Sequence, residues 1–207
     1  MTKTTTSSTP ATDEGGQPDA QPYRDAKVEV LFDAETIAAR NRELVEEVVA
    51  ARPEKLLVIA VLKGSFVFAA DLIRAMHAAG LAPEVEFITL SSYRDARVSS
   101  GQVTVLRDVE SDVRGRDVLL VDDILESGRT LAFAKDLLAA RGARRVMVCV
   151  LLEKTHKRAV QIEADFVGFE CPDYFVVGYG MDVAHSYRQL PYVGVIETAD
   201  QAGLPGI

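Results

Sequence analysis

The chain has 207 residues, 48% hydrophobic and 26% charged, enough for one well-filled core and short for two. Its formal net charge of -8 argues against a protein that coats nucleic acid or an anionic membrane, because those partners select basic faces. No stretch approaches the roughly 18 apolar residues of a membrane span, and no N-terminal run pairs positive charge with an apolar segment and a cleavage site, so a cytoplasmic location is expected.

Residues 1–22 are Ser, Thr, Pro, Gly and acid with almost nothing to bury, and are expected to be a disordered tail ahead of a single domain over residues 23–207. Asp33 is placed to cap a helix that carries Ile37, Leu44, Val45 and Val48 on one face and stops near Ala51, ahead of Pro53. Leu56 to Leu62 is an unbroken apolar run of buried-strand length. A second helix follows with Phe68, Leu72, Ile73 and Met76 inward, ending near Gly80, and Val85 to Leu90 reads as the next strand.

Ser91 to Arg116 is polar and carries charges of both signs, with scattered valines that allow a weak hairpin. Loops of this length inside a compact domain usually act as lids or are disordered. Beyond it, Val118 to Val121 reads as a strand, Arg129 to Arg141 as a helix stopped by Gly142, and Arg145 to Leu152 as a further strand. Asp165 to Phe169, Phe175 to Tyr179 and Val193 to Glu197 add short strands. The alternation predicts an α/β fold, an open, mostly parallel sheet flanked by helices. Cys149 and Cys171 lie in apolar surroundings without metal or redox spacing and read as buried thiols. His77, His156 and His185 show no ligand-like spacing.

The chemistry concentrates in Leu119 to Leu131, where an apolar strand runs into Asp122 and Asp123 and a turn of Glu126, Ser127 and Gly128 opens a helix at Arg129 and Thr130. A helix N-terminus offers unpaired N–H groups and partial positive charge to a phosphate. Gly128 permits close backbone approach, and the Ser127 and Thr130 hydroxyls add donors. Two acids beside a phosphate cradle would repel it unless they face sugar hydroxyls and a metal ion instead.

This segment resembles the phosphoribosyl pyrophosphate-binding motif of the type I phosphoribosyltransferases, and the chain from about Lys27 to Glu197 resembles their hypoxanthine-guanine branch. The resemblance implies that family's twisted sheet with a small hood built from terminal segments. It implies Mg2+ as cofactor, a purine base and phosphoribosyl pyrophosphate as substrates, and a homodimer or homotetramer. Asp122 and Asp123 would then hold ribose hydroxyls and orient the metal-bound substrate, with Glu126 to Thr130 around the 5'-phosphate. Glu126 stands where the family commonly has Asp, the group proposed to exchange a proton with purine N7, and the extra methylene moves that carboxylate.

Three further motifs carry the resemblance. Leu62-Lys63-Gly64-Ser65 matches the family's pyrophosphate loop, often built on a cis peptide between the Leu and Lys equivalents. Ser92-Tyr93 matches the start of its mobile lid, whose closure would keep water from a reactive sugar centre. Lys154, followed by Asp165 to Phe169 and Pro172 to Tyr179, looks like its purine site. There Lys154 would donate to the 6-oxo group, Phe175 would stack on the base and Val176 would offer backbone contacts. Asp182 would be the second magnesium-side carboxylate, and Arg188 would pair with pyrophosphate oxygens.

Three alternatives stay open on the residues. A xanthine-preferring transferase shares the 6-oxo requirement. A non-catalytic sensor of phosphoribosyl pyrophosphate draws weight from Glu126 but lacks a basic surface or an added DNA-binding domain. A phosphoacceptor receiver would use Asp122 or Asp123, but the Ser-Gly-Arg-Thr turn does not suit it.

Overall fold

Apolar runs without polar alternation must be covered on both faces, and this protein lays them side by side in one sheet. A computed structural model describes residues 26–92 and 103–196. The expected tail over residues 1–22, the lid residue Tyr93 and Glu197 lie outside the described residues.

The first half of the chain forms β1 (Val28–Phe32), α1 (Ala34–Ala50), β2 (Leu57–Leu62), α2 (Phe66–Ala78), β3 (Glu84–Ser92) and β4 (Val103–Arg107). The second half forms β5 (Asp117–Leu125), α3 (Arg129–Ala140), β6 (Arg145–Glu153), β7 (Phe166–Glu170), β8 (Val176–Val177) and β9 (Val193–Ile196). Six strands make the main sheet in the order β4-β3-β2-β5-β6-β7, parallel except for β4. A second, antiparallel sheet, β1-β9-β8, joins the two ends of the described chain and forms the expected hood.

The pleat of the central strands sorts their side chains into two cores. Val58 and Ala60 of β2, Leu119 and Val121 of β5 and Cys149 and Leu151 of β6 face α1, α2 and the hood. Leu57, Ile59, Leu120, Val148 and Val150 face Leu131, Ala134 and Leu138 of α3. Burying a Leu or Ile of this kind stabilises the fold by about 1.5–3 kcal/mol. Asp33 caps α1 as its position predicts, its Oδ1 accepting from Thr36 N at 2.7 Å.

Several boundaries differ from the sequence expectation for identifiable reasons. β5 runs on through both acids to Leu125 because it keeps pairing with β6, Asp122 opposite Val150 and Ile124 opposite Leu152. The valines expected to pair as a weak hairpin contribute β4, which pairs antiparallel with the end of β3, Val103 opposite Ser92 and Thr104 opposite Ser91. The strand expected from Phe175 to Tyr179 is limited to Val176–Val177, because Gly178, Tyr179 and Gly180 all take positive φ, at 91°, 49° and 101°. Among the described residues no helix is long and apolar enough to cross a membrane.

Candidate active site

The winding of the main sheet reverses between β2 and β5. β2 leads through α2 to β3 on one side, and β5 leads through α3 to β6 on the other, so the two connections diverge. Open α/β sheets form a ligand crevice at such a point, outside the carboxyl ends of the strands. Here a cleft of about 250 Å³ is lined by Gly64 beyond β2, Asp122 and Asp123 near the end of β5, and Glu126, Ser127, Gly128 and Thr130 beyond it.

The two acids are the electrostatic centre of the cleft. Asp122 is 7% exposed and its Oδ1 accepts from Asp123 N at 2.9 Å, while Asp123 Oδ1 accepts from Ile124 N at 2.9 Å. Burial, then the neighbouring charge of Asp123, pushes the Asp122 carboxyl well above its ordinary value. Burial also raises Asp123, against the hydrogen bonds it receives and the positive charge of Arg188. Neighbouring carboxyl groups in this state favour whatever brings a positive charge or hydroxyl donors to them.

Beyond β2 the chain turns through a cis peptide between Leu62 and Lys63. Buried Ser65 closes this turn, its Oγ donating to Val61 O at 2.6 Å. Gly64 has no room for a side chain, since a Cβ there would lie 1.7 Å from Asp123 Oδ2. The first loop of the cleft and its acid pair are therefore in direct contact.

The opposite wall is the start of α3. Gly128 is its N-cap at φ 80° and makes no side-chain capping bond. Among the described residues, the hydrogen bond to the amides of this turn is a long one, Arg129 N to Ser127 Oγ at 3.5 Å, which leaves the N-terminal donors of the helix available to an anion. The need for glycine at position 128 has a source other than ligand approach: a Cβ would meet Ile162 Cγ2 at 2.7 Å and Val160 O at 3.0 Å. The segment after β6 thus buttresses the turn. Ala159 N and Val160 N donate to Ser127 O, and Arg158 reaches Glu126 O at 3.3 Å and Glu153 Oε1 at 2.7 Å. Sequence reasoning missed Arg158, which sits in a cluster of charges with no motif to single it out.

Lys154 is buried at the end of β6, its Nζ donating to Tyr174 O at 2.7 Å and lying 3.5 Å from Glu126 Oε1. Phe175, by contrast, is 41% exposed, while Val176 is buried and pairs with Val195 in the hood. Asp182 and Arg188 meet each other, Oδ1 to Nη2 at 2.6 Å, and Arg188 Nη1 also donates to Gly180 O at 2.7 Å. Gly180 packs on the first loop, where a Cβ would lie 2.3 Å from Gly64 O.

The structure therefore gathers Gly64, Asp122, Asp123, Glu126, Ser127, Gly128 and Thr130 around one cleft. Lys154 joins through Glu126, and Asp182 and Arg188 join through Gly180. Ser92 closes β3, and Tyr93 is outside the described residues. Such a cleft offers amide donors at one wall, acids at its floor and, through Glu126, a lysine at its edge, a combination suited to an anionic sugar carrying a polar partner.

Comparison with known proteins agrees with this arrangement. Residues 27–184 match the family model described as phosphoribosyl transferase domain. The chain is 43% identical over 171 residues to the hypoxanthine-guanine phosphoribosyltransferase of Bacillus subtilis, a match spanning 82% of this chain and 93% of the relative. It is 41% identical over 172 residues to the hypoxanthine phosphoribosyltransferase of Buchnera aphidicola, over 82% and 96% of the two chains. A crystal structure of a hypoxanthine phosphoribosyltransferase from Staphylococcus aureus superposes with a TM-score of 0.77 at 37% identity, covering 84% of this chain and 92% of that one.

Proposed function

The chain belongs to the phosphoribosyltransferase family, and we propose that it serves purine salvage, moving the phosphoribosyl group of phosphoribosyl pyrophosphate onto hypoxanthine, and onto guanine, to give IMP or GMP and pyrophosphate. The observation that carries this reading is the pairing of an open helix N-terminus with the Asp122–Asp123 acid pair across one cleft, at the point where the sheet winding reverses. The names of the similar enzymes from Bacillus subtilis and Buchnera aphidicola support the choice of base.

In this reading the amides from Ser127 to Thr130 hold the 5'-phosphate, and Asp122 and Asp123 face the ribose hydroxyls. Lys63, Gly64 and Arg188 hold the pyrophosphate. Lys154 donates to the 6-oxo group of the base, Phe175 stacks on its face, Val176 offers backbone contacts, and Ser92 and Tyr93 belong to the lid. Purine N9 attacks the anomeric carbon as the bond to pyrophosphate breaks, the leaving group departing with the bonding electron pair. Glu126 takes the proton that the base gives up. Fixed donors at both phosphates stabilise charge that develops as the bond breaks, and a closed site suppresses attack by water.

Magnesium fits the donor set. Mg2+ is usually held by one or two carboxylates together with substrate phosphates, without an all-protein cage. The described residues contain no cluster of three or more His, Cys, Asp or Glu, whereas one buried and one half-buried acid, Asp122 and Asp123, line the cleft. Asp122 and Asp123 from one side and Asp182 from the other would face the metal-bound substrate without forming one three-carboxylate cage, and the ion would supply neutralising charge to the pyrophosphate leaving group. A cytoplasmic location and a homodimer or homotetramer complete the proposal.

Steady-state assays of the purified protein with hypoxanthine, guanine, xanthine and adenine, each with phosphoribosyl pyrophosphate and Mg2+, test it. Turnover of the 6-oxo purines is expected. Turnover of adenine alone would refute the assignment of Lys154, and no turnover with any base would refute catalysis.

A further inference from the structure

Tyr179 is a buried tyrosine with backbone φ at 49°, in the left-handed region, set between Gly178 and Gly180, which also have positive φ. For a bulky residue that conformation costs about 1–2 kcal/mol, and it persists only where surrounding contacts determine it. Here the backbone N–H donates to Leu190 O at 2.9 Å, and the side chain adds longer-range contacts. The phenol donates to Asp71 Oδ2 on α2 at 2.6 Å and accepts from Asn41 Nδ2 on α1 at 2.9 Å. Both helices pack on the same face of the sheet, so one hydroxyl links a loop near the C-terminal end of the described chain to two elements of its first half.

What that loop carries gives the link its meaning. Gly180, the next residue, packs directly against the carbonyl of Gly64, so the two loops cannot shift independently. Gly180 also binds Arg188 twice, its N–H donating to Arg188 O at 3.0 Å and its carbonyl accepting from Arg188 Nη1 at 2.7 Å. Arg188 in turn holds Asp182. On the other side, α2 begins at Phe66, two residues after Gly64, so the Asp71 end of the link is fixed to the helix that issues from the first loop.

We propose that Tyr179 is a positioning residue for the pyrophosphate half of the site: by fastening its loop to Asp71 and Asn41 it sets Gly180, Asp182 and Arg188 against the Lys63-Gly64 loop. Burial, and the hydrogen bond to Asp71, push the phenol well above its ordinary pKa, which keeps it a proton donor at every working pH. The inference rests on the reading of the Lys63-Gly64 loop as the pyrophosphate site.

Tyr179→Phe removes the hydroxyl and leaves the ring. In an active parent enzyme it is expected to raise KM for phosphoribosyl pyrophosphate and the inhibition constant of pyrophosphate by about tenfold or more, the scale on which small misplacements act. KM for hypoxanthine, whose site lies at Lys154 and Phe175, should stay within about twofold, the split being the signature that a purely structural role does not produce. Asp71→Ala should reproduce the split, and Asp71→Asn, which keeps an acceptor for the phenol, should restore most of it. Equal rises in both KM values, or a lowered Tm with both KM values unchanged, would overturn the proposal. An inactive parent would instead overturn the functional reading on which it stands.

Discussion

Lys154 Nζ lies 3.5 Å from Glu126 Oε1, and the lysine side chain is 8% exposed against 32% for the glutamate. Their backbones are tied as well, Lys154 N donating to Leu125 O at 2.9 Å across the β5–β6 pair. Glutamate carries one methylene more than aspartate, and it is this side chain whose carboxylate comes to 3.5 Å from the ammonium. The residue that departs from the family's usual Asp is thus paired with the lysine proposed to meet the base, and each charge is compensated in a site partly withdrawn from water.

From this pair follows an ordered set of activities. Glu126→Ala should lower kcat by about 10²- to 10⁴-fold, the usual contribution of a positioned acid or base. Glu126→Asp should retain an intermediate activity, because the carboxylate survives while its reach toward Lys154 is one methylene shorter. Single-turnover rates with hypoxanthine would measure both. Full activity in the alanine variant would remove Glu126 from the proton transfer.

The contact between Gly64 and Asp123 makes a sharper demand. An added Cβ would overlap Asp123 Oδ2, and Asp123 is held by its bond from Ile124 N, so the acid must rotate out of place. Gly64→Ala should therefore lower kcat/KM for phosphoribosyl pyrophosphate by about 100-fold with an unchanged far-UV CD spectrum. A variant with normal kinetics would show that Asp123 does not work from this position.

Much of this architecture was legible in the residues, and the exceptions have a common cause. The helices announced themselves through local signals such as the Asp33 cap and the 3.6-residue spacing of Ile37, Leu44, Val45 and Val48. Buried strands were equally plain as apolar runs. Strand order was not, because the pairing of β2 with β5 is a contact over some sixty residues and leaves no local pattern. Nor did the residues around Asp122 reveal that β5 continues past it, since a carboxylate ordinarily ends a buried strand and here it is kept at the cleft. The Glu126–Lys154 pair, the buttress at Arg158 and the link through Tyr179 are likewise meetings of distant loops.

Neither thiol should react in the native protein. Cys149 and Cys171 are both buried, and burial raises each thiol above its ordinary pKa, leaving little thiolate at neutral pH. Titration with a disulfide reagent should find no fast thiol in buffer and two in denaturant; a rapid native reaction would show that one of them opens to solvent.

A last expectation concerns acid stability and lies away from the cleft. Asp117, fully buried at the start of β5, has its Oδ2 2.9 Å from Glu54 N, 2.5 Å from Arg144 Nη2 and 2.9 Å from Arg145 Nη2. Burial opposes its ionisation, but the Glu54 N–H and the two guanidinium groups outweigh burial and hold the carboxyl below its ordinary value. A carboxyl lowered in this way contributes stability above its unfolded pKa of about 4, and that contribution fades as pH falls toward the lower folded value. Asp117→Asn, which keeps the shape and loses the charge, should cost about 1.5–3 kcal/mol at pH 7. Denaturant melts at pH 7, 5 and 3 should show the gap between parent and variant intact at the first two and narrowing at the third. A gap that stays constant down to pH 3 would mean that the charge of Asp117 contributes nothing, and that the loss comes from packing at the base of β5.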